Sequence, residues 1–113
     1  MVNIYLDDLR SVPNGFLLAK NAIECQRMLI KYKGRVNILS LDHDLGDDEN
    51  NGTGYDVVKW LCLHYQQNND NYFPKSIYLH SANPVGRTNM YHLLKRYKPN
   101  NVKMYNSPIL YVE

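Results

Sequence analysis

The chain has no apolar run approaching 18 residues, which excludes a membrane-crossing helix. Met1 does not open onto a basic and then apolar leader, so a cytoplasmic protein is expected. It has only two cysteines, Cys25 and Cys62. Both fall inside helical patterns and read as small buried apolar residues rather than disulfide partners or metal ligands. At 113 residues the chain is long enough to bury a core without a covalent or metal staple. It has no internal repeat and no low-complexity tract, so one domain over residues 1–113 is expected. A net charge of +2 is too small to imply nucleic-acid binding by itself. Acidic residues are nearly missing from the last third. Ten of eleven precede Pro74, while Lys75, Arg87, Lys95, Arg96, Lys98 and Lys103 follow it. That asymmetry suits a site handling a metal or protons on one side and phosphate on the other; the plainer reading is a solvated basic helix.

What is present centres on Leu39-Ser40-Leu41-Asp42-His43-Asp44-Leu45-Gly46. An apolar run from Val36 ends abruptly in Asp-His-Asp, the profile of a buried strand delivering polar groups to a sheet edge. Two further runs end the same way: Asn3 to Leu6 in Asp7-Asp8, and Ser76 to Leu79 in His80-Ser81. Parallel neighbours would bring four carboxylates and two imidazoles to one crevice outside the strands' carboxyl ends.

In chain order, the link from Asp7 to the short strand Phe16–Ala19 is too short for an ordinary helical crossover. A crossover shrunk to a loop is preferred here to an antiparallel pairing. Asn21 with Glu24 starts a helix that stops at Gly34. Residues 47–52 read as an acidic loop, and Thr53 with Asp56 as a capping box for a second helix. Asn83, with Pro84 in the first turn, starts a third, which Pro99 stops. Val102–Tyr105 is a fifth strand. Strands alternating with helices predict an α/β sandwich with a mostly parallel sheet.

The polar tips suggest chemistry. Asp7, Asp8, Asp42 and Asp44 are hard oxygen donors suited to Mg²⁺ or Mn²⁺. Asp47, Asp48 and Glu49 read as a solvated loop. His43 and His80 are candidates for general acid and base near neutral pH, with Asp42 beside them, or for metal ligands. Alternation along Leu41-Asp42-His43-Asp44 places His43 opposite both aspartates unless the strand ends at Asp42. Ser81 and Asn83 open a helix N-terminus, a ready anion site. Arg87 from that helix and Arg10 from the opposite wall are candidates to clamp phosphate. Thr53 offers a hydroxyl, though capping already explains it. His64 and His92 sit on helices as surface or packing residues.

These segments resemble the receiver domains of two-component signalling: an acidic pair after strand one, an aspartate ending strand three, and Ser81-Ala82 after strand four. The chain resembles more closely the cyclic-phosphate processing receiver domain family. The matching stretches are Tyr5-Leu6-Asp7-Asp8-x-Arg10, Leu39 to Gly46, Gly52-Thr53-Gly54-Tyr55-Asp56-Val57, and His80-Ser81-Ala82-Asn83-Pro84-Val85-Gly86-Arg87, within residues 4–94. The resemblance implies a receiver-like (flavodoxin-like) three-layer sandwich of about five mostly parallel strands in order 2-1-3-4-5, with three main helices. Signalling receivers carry a lysine near the end of strand five. Here that place falls near Asn106 or Ser107, and Lys103 lies three residues too early, which argues against ordinary phosphorelay.

The resulting expectation is a phosphoesterase that opens a cyclic phosphate. Its partner would be a cyclic (oligo)nucleotide or a cyclic-phosphate-ended RNA, with no membrane involved. One alternative is a module that binds such a nucleotide without cleaving it, as a sensor or a sequestering protein, including in phage anti-defence. The other is a phosphoacceptor at Asp42.

Overall fold

A computed structural model describes residues 1–8 and 12–109. The elements are β1 (Val2–Leu6), β2 (Phe16–Ala19), α1 (Ala22–Lys31), β3 (Val36–Leu41), α2 (Asp48–Asn51), α3 (Gly54–Gln67), β4 (Ser76–Leu79), α4 (Pro84–Tyr97) and β5 (Lys103–Tyr105). The short apolar runs became strands, and each long helix begins on a side-chain cap. Asn21 accepts from the Glu24 amide at 2.9 Å. Thr53 and Asp56 form a reciprocal capping box. Asn83 accepts from the Gly86 amide at 3.0 Å, with Pro84 where its missing N–H costs nothing.

The five strands form one parallel sheet in the order β2-β1-β3-β4-β5. The β1–β2 pair is parallel, so the first crossover is the shortened loop expected. Two details differ from the sequence reading. The segment read as an acidic loop contains a single helical turn, α2, whose four polar residues carry no apolar period to betray it. The last strand starts at Lys103, with Val102 packed in the core just before it.

Strand order also determines the layering. The steps from β2 to β3, β3 to β4 and β4 to β5 all run the same way across the sheet. Right-handed crossovers then place α1, α3 and α4 on one face. Apart from Ser40, and from Val36 ahead of a register shift, the buried strand residues accordingly belong to one alternation set. Ile4, Leu6, Leu39, Leu41, Ile77 and Leu79 pack with Leu29, Leu61, Met90 and Leu94 in a single core. The step from β1 to β2 runs the other way and carries no helix among its described residues. The receiver-like α/β sandwich expected is present, and among the described residues its long helices share one face of the sheet. The opposite face, with Tyr5, Phe16, Ile38, Tyr78 and Tyr105, is left half-exposed or exposed. Both cysteines are free and buried, as expected, and burial pushes the Cys62 thiol up to about 11. No helix among the described residues is long and apolar enough to cross a membrane.

Candidate functional site

Three residues just past the strands stand level because the sheet's hydrogen-bond ladder continues beyond the regular elements. The Asp7 amide donates to Ala19 O, the Asp42 amide to Leu6 O and the His80 amide to Leu41 O, each at 3.0 Å. Period-two alternation then sends all three side chains to the face that carries no helix. One ligand atom from each of Asp7, Asp42 and His80 lies within 4.8 Å of the others, a spacing that one cation can bridge. Together with Tyr5, Asp44, Ala82 and Asn83 they line an open pocket of about 550 Å³. That is within the range of small-molecule sites, roughly 300–1,000 Å³.

Both His80 nitrogens are engaged. Nε2 lies 3.0 Å from Asp7 Oδ2, and Nδ1 lies 2.6 Å from Ser40 Oγ. An ionised carboxylate only accepts, so a neutral ring donates Nε2–H to Asp7 and accepts the Ser40 hydroxyl proton at Nδ1. Tyr5 stacks flat on the ring, centroids 4.2 Å apart and 8° from parallel. Burial holds the His80 pKa below its ordinary value, against the opposing pull of Asp7 and Asp42. Asp42 moves the other way. Burial raises its pKa, and the negative charge of Asp7 adds to this; His80 and hydrogen bonds from the Ser81 side chain and the His43 backbone pull it back.

Asp44 and His43 form the rim. The His43 Nδ1–Asp44 Oδ1 distance is 2.8 Å, and Asn83 Nδ2 donates to the same oxygen at 3.3 Å. The His43 bond is the main reason the Asp44 pKa is lowered. The His43 ring is not among the pocket-lining residues. It lies against the start of α4, so closely that a Cβ on Gly86 would fall 2.4 Å from its Cγ. This is the outcome alternation gives, with His43 on the helical side and Asp42 on the other.

The remaining candidates are placed as follows. Ser81 is buried, accepts the Asn83 amide at 3.1 Å and supports Asp42. Asn83 lines the pocket while capping α4. Arg87 turns away from the pocket to donate Nη1–H to Ser81 O at 2.8 Å. Thr53 is occupied by the α3 cap. Asp8 is exposed and outside the Asp7–Asp42–His80 group, and so is Asp44. Arg10 lies outside the described residues. The sequence reading missed Ser40 and Tyr5. The available signal was that both sit two residues before a candidate aspartate, hence on the same face, and the register pairs Tyr5 with Ser40.

No curated protein and no solved structure matches the chain. A family profile does, over residues 2–96, and it covers every strand except β5 together with all the polar tips just described. The chain therefore belongs to the cyclic-phosphate processing receiver domain family.

Proposed function

We propose that the pocket hydrolyses the cyclic phosphodiester of a nucleotide or of an RNA end. The observation that carries this reading is the convergence of Asp7, Asp42 and His80 on one open pocket at the sheet's carboxyl edge. Membership in a cyclic-phosphate processing family supports the substrate class.

Ring opening forms a bond from water oxygen to phosphorus and breaks one phosphorus–sugar oxygen bond. The water must lose a proton and the departing sugar oxygen must gain one. Asp42, whose carboxyl binds protons more readily than an ordinary aspartate, takes the water's proton. The His80–Asp7 pair, in the state that carries one proton more than the neutral-ring arrangement, gives that proton to the sugar oxygen, and the proton taken by Asp42 is returned to the pair to close the cycle. Ser40 holds the imidazole's far nitrogen and so its orientation. His43 acts one step back by fixing Asp44 at the rim. Asn83, at the pocket wall, offers an amide to a phosphate or ribose oxygen.

The donor set fits Mg²⁺ or Mn²⁺. Two hard carboxylates sit close enough that Asp7 disfavours the ionised form of Asp42, a repulsion that a cation would relieve. Asp7 and Asp42 would hold it, and when bound it would withdraw charge from the phosphoryl oxygens and acidify the attacking water, so that Asp42 would need no raised proton affinity in that state.

The test is turnover of a panel of 2′,3′- and 3′,5′-cyclic nucleotides and cyclic-phosphate-ended RNAs, with Mg²⁺, Mn²⁺ or EDTA. A phosphomonoester product is expected. His80→Ala and Asp42→Asn should each lower kcat/KM by about 10²–10⁴-fold, the usual worth of a proton-transfer group. His43→Ala should cost less than either. Intact ligand recovered from a tight complex would favour binding alone. Full activity of the His80→Ala, Asp42→Asn double variant would remove the mechanism, and activity indifferent to EDTA would remove the cation.

A further inference from the structure

The sheet face that carries no helix runs directly into the pocket, and Tyr5 belongs to both. Below His80 the same face presents Tyr78 stacked on Tyr105, centroids 4.6 Å apart and 17° from parallel. Tyr105 remains 39% exposed, so that stack ends in an open ring. On the other side of Tyr5, Phe16 meets it edge-on at 5.8 Å. The carboxylates that line the pocket, Asp7, Asp42 and Asp44, all sit at the strands' carboxyl ends. The cations Lys103 and Lys75 are exposed at the opposite end. There they border a second hollow of about 470 Å³, lined also by Asn37, Ser76, Asn101 and Tyr105.

We propose that this face is the platform for the bases of a single-stranded RNA whose 3′ cyclic phosphate enters the Asp7–Asp42–His80 corner. The proposal rests on the function assigned above and narrows its substrate from any cyclic phosphate to an oligonucleotide end. A sheet with exposed aromatic rings stacks unpaired bases, and stacking tolerates any base because each has a π-face. Tyr78 lies two residues before His80, roughly 7 Å along the strand, about one nucleotide's step. A chain entering the corner by its 3′ end therefore passes Tyr78 and Tyr105 next. Its backbone phosphates would then approach Lys103 and Lys75, where no carboxylate of the strand ends opposes them. Charge thus selects an anionic occupant at the far end, and the aromatic rings select a planar one in between.

The experiment compares a 2′,3′-cyclic mononucleotide with di- and trinucleotides ending in the same cyclic phosphate, using kcat/KM as readout. Binding of the matching 3′-phosphate-ended oligonucleotides is followed in parallel by fluorescence anisotropy. The intact chain should prefer the trinucleotide by about tenfold or more, since one stacked base contributes roughly fivefold to a hundredfold. Tyr105→Ala should erase most of that preference and Tyr105→Phe should restore it. Lys103→Ala should weaken trinucleotide binding and flatten its dependence on salt. Equal preference for mono- and trinucleotide, or a preference unaltered in Tyr105→Ala and Lys103→Ala, overturns the platform. Turnover of cyclic mononucleotides without length dependence overturns the platform while the hydrolytic function stands. Length- and Tyr105-dependent binding without ring opening of any substrate leaves the platform standing while the hydrolytic function fails. A concentration-dependent dimer in sedimentation that Tyr105→Ala dissolves assigns the face to a second copy, and so also overturns it.

Discussion

Ser40 Oγ and Asp7 Oδ2 grip the two nitrogens of His80, and Tyr5 covers one side of its ring. Burial there disfavours the charged imidazole, which links its titration to folding. In the unfolded chain it protonates near the ordinary value of 6.5; in the folded chain the value is lower. As pH falls through that window the unfolded state takes up the proton first. The contribution is thus fully present above about 6.5 and is lost as pH falls toward the folded value. Asp42 has the opposite sign. Its raised folded value gives a contribution present below its ordinary pKa near 3.8 and lost as pH rises through the folded one. Thermal unfolding in EDTA should therefore show stability declining from pH 7 toward pH 5, with a shallower decline in His80→Gln. An unchanged decline in that variant would mean another group is responsible. Ser40 illustrates what a single sequence hides. Its type and position were plain, but its partner lies 40 residues away and is found only once β3 and β4 are in register.

Among the elements, α3 begins where there is no room for a side chain. A Cβ on Gly54 would lie 2.1 Å from the Asp42 backbone oxygen and 3.0 Å from Met90 Sδ. The Gly54 amide meanwhile donates to His43 O at 2.9 Å, pinning the helix start beneath the pocket. Gly54→Ala should destabilise by about 1–3 kcal/mol in denaturant unfolding, because the obstacle is backbone and cannot step aside. Gly86→Ala should cost less stability, since its obstacle is the His43 ring, which can turn. It should instead disturb Asp44 and lower activity. Equal stability losses would show that the two close contacts are not different in kind. The caps at Asn21, Thr53 and Asn83 were legible because a polar cap followed by an apolar period is a local signal. The turn α2 was not, since four polar residues carry no period.

At the level of the whole molecule, topology was legible further than layering. Acid- and imidazole-tipped apolar runs pointed to a parallel sheet with a common rim, and the sheet has that order. The placement of the long helices on one face follows from connection lengths, yet it becomes visible only after each crossover is assigned a direction across the sheet. Thr53 and Arg87, read as candidates at the helix starts, are engaged in the structure by a helix cap and a backbone carbonyl, which compete for the same polar groups. The bond between Asp7 and His80 closes a separation of 73 residues, across β3. No contiguous fragment short of most of the sheet can possess it. The hydrolysis proposed above and far-ultraviolet circular dichroism should then vanish at one denaturant midpoint. An activity midpoint well below the structural one would mark the corner as an independently opening unit.

That long-range bond has a further consequence. A nascent polypeptide still emerging from the ribosome has made its first aspartate long before its partner histidine exists. The proposed catalytic corner cannot assemble by degrees during synthesis. It arrives at once, when the fourth strand docks.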